Sequence, residues 1–325
     1  MNINGTRDIL NLLTMPWPEF SATVQPRAKE MHRTVNGNTV TVTALLGYDN
    51  ICRNQCLYCG MRAGCTGLNR FRLSLDDVQK TGETAWAMGL RRLFLISGED
   101  PGFPFQDIVS MVEQLKKRGF FLSLGAGEFT EDEYRRLAAV GLDEYVLKFE
   151  TSDEAFFNRL NPSTTFEKRM KAIEAVRKTG MKLASGNIIG LPHQTLEQLA
   201  DDIILMKKLD ISWAPVIPYM PVPGTPLAEE GGRGSLEWLL KEISILRLIL
   251  PNIRITAQQP GENVKNGLAD EKGNLNALAA GADNLFVDML PSELMRDFNV
   301  INNRIVAGIE NVDRLIAAAG MTRRQ

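Results

Sequence analysis

From residue 39 onward, short apolar runs alternate with longer amphipathic stretches, and a Gly or Asp closes each stretch before the next run begins. A period of two in the runs and of about 3.6 in the stretches predicts parallel strands joined by crossover helices. The first run, Thr39-Val40-Thr41-Val42-Thr43-Ala44-Leu45-Leu46, follows an Asn36-Gly37 turn and is β-branched and alternating, as a strand requires. Strands are predicted near Val40–Leu46, Arg92–Ile96, Phe120–Leu124, Glu144–Lys148, Lys182–Ser185, Trp213–Ile217, Arg254–Thr256 and Asn284–Val287. Helices are predicted near Leu75–Met88, Phe105–Arg118, Glu131–Val140, Phe166–Thr179, Leu196–Leu209, Ser235–Leu250, Leu275–Ala280 and Asn303–Ala319.

Equal numbers of strands and helices imply an α/β fold, a closed (βα)8 TIM-type barrel. An N-terminal helical extension, near Asn4–Leu13 and Pro18–His32, precedes it. An open doubly wound sheet is the alternative, because strand number does not prove closure. Gly89, Gly119, Gly141, Gly180, Gly281 and Gly320 stand where a helix must stop and turn back to a strand. No stretch reads as an interdomain linker. Residues 1–325 are therefore expected to form one domain, with helices over 1–38, the barrel over 39–290 and a C-terminal helix closing it over 291–325. The Gly-rich Glu229–Ser235 segment is the most mobile-looking piece and is expected to link strand six to helix six.

Composition narrows the function. The 37 Lys and Arg against 39 Asp and Glu leave a net charge of −2, which gives no long-range attraction for nucleic acid or anionic lipid. No apolar run reaches the roughly 18–20 residues of a membrane span, and the best, Ile243–Leu250, contains Arg247. The opening residues carry no basic-then-apolar export signal, so a cytoplasmic protein is expected. Asn4-Gly5-Thr6 fits a glycosylation pattern only by chance.

All 4 cysteines, Cys52, Cys56, Cys59 and Cys65, fall in one short stretch after the first strand. Bridges so local would close trivial loops, so a cofactor site is the better reading. Cys52, Cys56 and Cys59 make C-x3-C-x2-C, and three thiolates on one loop suit three irons of a 4Fe-4S cube. The remaining iron is then open to a small molecule carrying an amine and a carboxylate, which brings its sulfonium near the cluster. Zinc would need further ligands, for which only Cys65, His32 and His193 are available. Cys65 lies outside the spacing and reads as a loop thiol with no ligand role. With 2 histidines in the chain, His-based acid–base catalysis has little support.

With Tyr58 just before the third cysteine, the loop resembles that of the radical S-adenosylmethionine (SAM) enzymes. Within them, Ile51–Arg62, Asn69-Arg70-Phe71-Arg72-Leu73, Ser97-Gly98-Glu99-Asp100-Pro101, Glu150-Thr151, Ser163–Arg169, Gly190–Thr195 and Pro218–Leu227 resemble the group containing HydE, the FeFe-hydrogenase maturase. PylB, the methylornithine synthase, and biotin synthase are similar in turn. The resemblance implies a 4Fe-4S cluster on Cys52, Cys56 and Cys59 and reductive cleavage of SAM to a 5′-deoxyadenosyl radical. It also implies a ferredoxin- or flavodoxin-like electron donor and, for HydE-like chemistry, other hydrogenase maturation proteins as partners.

Such barrels build their sites at the C-terminal ends of the strands. Ser97, Gly98, Glu99 and Asp100 end strand two, where the family holds the amino group of SAM. Gly125-Ala126-Gly127-Glu128 ends strand three, and Lys148 and Glu150 share one face at the end of strand four. By resemblance Glu150 takes the ribose hydroxyls and Arg169 the SAM carboxylate. Ile188, within Gly186–Gly190, is expected beside adenine, and Tyr219, with Met220 in the stiff Pro218–Pro221 segment, is either an adenine neighbour or ordinary core. Gln258, Gln259, Asp288 and Met289, after strands seven and eight, are the candidate substrate contacts. Ala214-Pro215-Val216 replaces the strand-six Arg that the lysine mutase uses for its substrate's carboxylate, which counts against lysine. HydE-like chemistry, radical attack on a cysteine-bound iron dicarbonyl cyanide unit, implies a small anionic substrate. Ile96, Ala257-Gln258-Gln259 and Pro291-Ser292-Glu293-Leu294 depart from the HydE pattern, so a HydE-like enzyme with another small substrate is a further reading. Biotin synthase consumes a second cluster that Cys65 alone cannot ligate. A non-enzymatic iron–sulfur carrier leaves the acids at the strand ends unexplained.

Overall fold

The structure is a computed structural model that describes residues 3, 5–302 and 304–324. Asn4 and Asn303, where two predicted helices were to begin, lie outside the described residues. The N-terminal extension is α1 (Thr6–Thr14), α2 (Trp17–Thr23) and α3 (Gln25–Asn36). The stretch expected as one helix over Pro18–His32 is thus two, broken at Val24, and Pro26 supplies a preset φ in the first turn of the second.

The barrel follows as β1 (Thr39–Asp49), α4 (Leu75–Ala87), β2 (Arg92–Ser97), α5 (Phe105–Lys117), β3 (Phe121–Gly125), α6 (Glu131–Ala139) and β4 (Glu144–Val146). Next come α7 (Glu154–Leu160), α8 (Phe166–Lys178), β5 (Lys182–Ala184), β6 (Ile188–Ile189), α9 (Leu196–Lys208), β7 (Trp213–Ala214) and β8 (Ile217–Pro218). The chain ends with α10 (Leu236–Ile249), β9 (Arg254–Ile255), α11 (Glu271–Ala279), β10 (Asn284–Asp288), α12 (Ile309–Ala318) and β11 (Thr322–Arg323). The sheet runs β10-β1-β2-β3-β4-β5-β7-β9, all parallel, and the Thr256–Asn284 bridge joins its two ends. This is the predicted TIM-type barrel. Strand six is interrupted at Pro215, which has no N–H to give to a ladder, and resumes as β8 paired with β6 above the main ring.

All six glycines expected to stop helices have positive φ, from 66° at Gly320 to 104° at Gly281. Two of the barrel helices carry full capping boxes, Thr130 with Glu133 and Thr195 with Gln198. Helix α7, which the periodicity did not predict, is two turns long and starts at an Asp153 cap. The last helix begins at Ile309, and residues 304–308 before it form no regular structure.

Inside the barrel, Leu45, Phe94, Ala184, Trp213 and Phe286 meet across the ring, with Val306 from the segment ahead of α12. Phe94 and Trp213 are edge to face at 5.1 Å, and Trp213 lies 5.7 Å from Phe286. At the N-terminal strand ends this layer rests on a buried ion pair, Arg254 with both oxygens of Glu144. Ser123 and Ser212 donate to the same carboxylate, which keeps it ionised against burial. The N-terminal helices pack outside on α9, α10 and α11, and Lys241 caps α1 by donating to the carbonyls of Leu13 and Met15. Glu144→Ala leaves the Arg254 charge buried without compensation and is expected to cost about 3–5 kcal/mol of stability, read by denaturant unfolding.

Candidate functional site

Beyond β1 the chain leaves regular structure for some twenty residues, 50–71, and the cysteines lie here. All four are free thiols, partly buried. Arg70 orders the loop from within: its guanidinium donates to the carbonyls of Asn50 (2.6 Å), Met61 (2.9 Å), Arg62 (2.8 Å) and Cys65 (3.0 Å). Asn50 ties the same turn to the carbonyls of Asn69 and Asp297 and accepts from the Phe71 N–H. Leu57, between two cysteines, donates to Leu160 of α7 and accepts from Leu227. Two glycines allow backbone to meet backbone. A Cβ on Gly98 would sit 2.0 Å from the Ile51 carbonyl and 2.9 Å from the Cys52 Cβ, and one on Gly60 would sit 2.2 Å from the Asn299 carbonyl.

The charged residues at the strand ends pair with one another around this loop. Glu99 accepts from Arg53 and Asn54 of the cysteine loop and from the Glu128 N–H. Asp100 pairs with Arg72 and accepts from the Gly102 N–H. Arg169 donates to Glu128 at 2.7 Å and to the Lys148 carbonyl, and Thr164 also donates to Glu128. Lys148 and Glu150 form an ion pair at 3.0 Å. Glu150 has φ of 62°, rare for a non-glycine residue, and its backbone pairs with Asn187 at the foot of β6. Ser97 lies within hydrogen-bond distance of the Tyr48 hydroxyl and the Gly98 carbonyl, and Tyr58 donates to Asn161 at 2.8 Å. Ile188 and Tyr219 pack together under the loop beside Tyr58, with the Tyr219 hydroxyl buried and unpartnered, and Met220 is buried next to it.

Burial dominates the acid–base properties. It pushes Cys56 up to about 12 and raises Cys52 and Cys59 as well. Arg169 pulls Cys56 back, while Cys52 and Glu150 push it further up, so these side chains share one electrostatic environment. Burial, then Asp100, also raises Asp49. Beneath Glu150 and Asn187 lies a pair of buried acids. Burial pushes Asp202 up to about 7, against hydrogen bonds from Ser152 and Asn187, and raises Glu242 well above its usual range with Asp202's charge assisting. Among the described residues, no three His, Cys, Asp or Glu side chains converge as a single metal ion would require.

The substrate candidates lie elsewhere on the rim. Gln258 accepts from the Phe286 N–H at 2.7 Å, and its buried Nε2 has no partner. Gln259 donates to the carbonyls of Val216 and Thr256 and leaves its Oε1 unpartnered. Asp288 accepts from Arg304 at 2.9 Å and from the Leu290 N–H. Met289 is half-buried and bonded to β1 through its backbone. Arg304, whose side chain is 6% exposed, rests on Phe298 and keeps a terminal nitrogen without a partner.

The radical SAM superfamily model matches residues 49–206, from the end of β1 into α9. Over 301 residues the chain is 29% identical to the FeFe-hydrogenase maturase subunit HydE of Thermotoga maritima, covering 92% of this chain and 85% of HydE. It is 30% identical over 231 residues to the biotin synthase of Desulforudis audaxviator, covering 69% of each. The chain belongs to the radical SAM superfamily. Its fold is similar to the crystal structure of methylornithine synthase (PylB), with a TM-score of 0.83, 23% identity and coverage of 98% and 94%. As a radical SAM enzyme it uses a 4Fe-4S cluster and SAM, and the chemistry of the loop fits: soft, unbridged thiols gathered on one loop, with the Arg169 charge acting on Cys56.

Several residues that build this rim carry no signal in the sequence. Arg70 and Arg72 lie in a quoted motif, yet nothing in it told which carbonyls or carboxylates they serve. Asp202, Glu242 and Arg304 carry no local signal, since burial alone makes them unusual. Between roughly pH 4 and 7 the folded chain holds on Asp202 a proton that the unfolded chain has released, so stability falls as pH rises through that window. Asp202→Asn is expected to flatten this part of a plot of melting temperature against pH, and an unchanged slope would exclude Asp202 as its source.

Proposed function

We propose that Cys52, Cys56 and Cys59 ligate the cluster, that the paired acids and bases of the rim hold SAM, and that this radical SAM enzyme carries out HydE-like maturation of the FeFe-hydrogenase active site. When bound, the cluster and SAM supply one-electron cleavage of a sulfonium C–S bond and a 5′-deoxyadenosyl radical. The electron comes from a ferredoxin- or flavodoxin-like donor. The chain's own residues bind and orient. Glu99 and Asp100 offer carboxylates to the ammonium of SAM, and Arg169 offers its guanidinium to the carboxylate. Glu150, held by its unusual backbone, faces the ribose hydroxyls, with Glu128 and Lys148 as the counter-charges that each ligand group replaces. Tyr58, Ile188, Tyr219 and Met220 supply the apolar wall for adenine.

The observation that carries the HydE-like reading is the extent of the similarity, which spans 92% of this chain and 85% of HydE and is not confined to the cysteine loop. Arg304 adds to it. Ala214-Pro215-Val216 in strand six carries no cation for a substrate carboxylate, but Arg304 brings a buried guanidinium with an unpartnered nitrogen beside Asp288. A small anionic substrate suits that group.

Anaerobic reconstitution is expected to give about four irons per chain, lost in Cys56→Ser and kept in Cys65→Ser. Loss of iron in the Cys65 variant would overturn the set of three ligands. With dithionite and SAM the reconstituted enzyme is expected to release 5′-deoxyadenosine and, in place of HydE, to support maturation of apo-hydrogenase. Conversion of L-lysine to methylornithine instead would assign it to the mutase reaction.

A further inference from the structure

The barrel has a second opening, at the N-terminal ends of its strands, which the proposed chemistry leaves unused. A pocket of about 740 Å³ lies at the SAM end beside Ser97, Glu99 and Glu128. One of about 670 Å³ lies at the other end, lined by Arg92, Arg177, Lys182, Arg254 and Arg324 against the carboxylates of Glu144 and Asp210. Phe94, Trp213 and Phe286 stand between this pocket and the rim.

The cations of this lower pocket are gathered on one ring. Arg92 stacks over Phe121 at 3.8 Å, and Lys182 and Arg254 lie 5.4 and 5.6 Å from the same ring. Like charges held this close repel unless an anion lies among them. Glu144 does not fully supply it, since Arg254, Ser123 and Ser212 already share its two oxygens. Arg92 and Arg254 each keep one buried terminal nitrogen with no hydrogen-bond partner, an arrangement that is costly for a buried donor. Burial, then Arg254, holds Arg92 down to about 10, against the opposing pull of Glu144 and Asp143. Arg324 reaches the pocket from the chain's end, donating to Thr39 and, at 3.4 Å, to Asp283.

We propose that this lower mouth is a binding site for a phosphoryl group, inorganic phosphate or the phosphate of a small ester, seated between Arg92, Arg254 and Arg324. A dianion matches the excess of cations better than a single carboxylate, and the planar guanidinium forks suit its oxygens. Occupancy there neutralises the base of the barrel and stiffens the strand ends on which the aromatic layer rests.

Titration calorimetry of the reconstituted holoprotein in a buffer free of oxyanions, at fixed ionic strength, tests this with inorganic phosphate, glycerol 3-phosphate and citrate as probes. Saturable binding of one or both phosphates is expected, unaffected by SAM. Tighter binding of glycerol 3-phosphate assigns an ester, and tighter binding of phosphate assigns the free ion. Arg92→Gln is expected to weaken the binding about tenfold or more, the scale of one charge-assisted hydrogen bond, and Arg324→Ala several-fold. If Arg92→Gln does not fold, Arg324→Ala and Lys182→Ala, changed at the pocket's outer edge, carry the test. Absence of saturable phosphate binding, binding displaced by SAM, binding unchanged in folded variants, or tighter binding of citrate than of either phosphate overturns the proposal.

Discussion

The hydrogen bonds from one guanidinium, Arg70, decide how the site is built. Residues 50–71 have to present three thiols from backbone that forms neither helix nor sheet, so its carbonyls need donors from elsewhere. Arg70 gives four of them a partner at once and thereby turns an irregular excursion into a fixed platform. The turn after β2 meets that platform at near-contact distance, and so does Asn299 ahead of α12, which is why Gly98 and Gly60 have no room for a side chain. Glu99, caught between Arg53, Asn54 and the Glu128 N–H, links the platform to the rim. Positions of charge at the strand ends thus follow from how the loop is stapled.

The two ends of the barrel manage charge differently. At the rim, Glu99, Asp100, Glu128, Lys148, Glu150 and Arg169 are each matched by an opposite charge. At the base, Glu144 is saturated and cations predominate. The aromatic layer between them separates these two electrostatic environments within one ring of strands.

Much of this was legible in the chain. Strands such as Arg92–Ser97 and Asn284–Asp288 fell where alternation placed them, and glycines 89 to 320 ended helices because only they accept the left-handed turn at no cost. The cysteine spacing and the acids at successive strand ends pointed to one rim, and the fold brings them to it. What escaped notice was set by tertiary contact. Strand six loses its ladder at Pro215, a local cause with a global effect, and α7 is too short for periodicity to register. Arg304 sits in a segment without pattern, and Asp202 and Glu242 look like surface acids of amphipathic helices until their burial is known.

The segment ahead of α12 has a mechanical role that its plain sequence conceals. Phe298 fills the space a side chain on Gly47 would need, the Asn299 carbonyl does the same at Gly60, and Val306 enters the barrel's apolar interior. Cover and cysteine loop are therefore interlocked, and neither moves without disturbing the other. Any loosening of the thiol loop is felt at Phe298 and Asn299, whose neighbour Asp297 is tied to Asn50 and Asn69 at the loop's two ends.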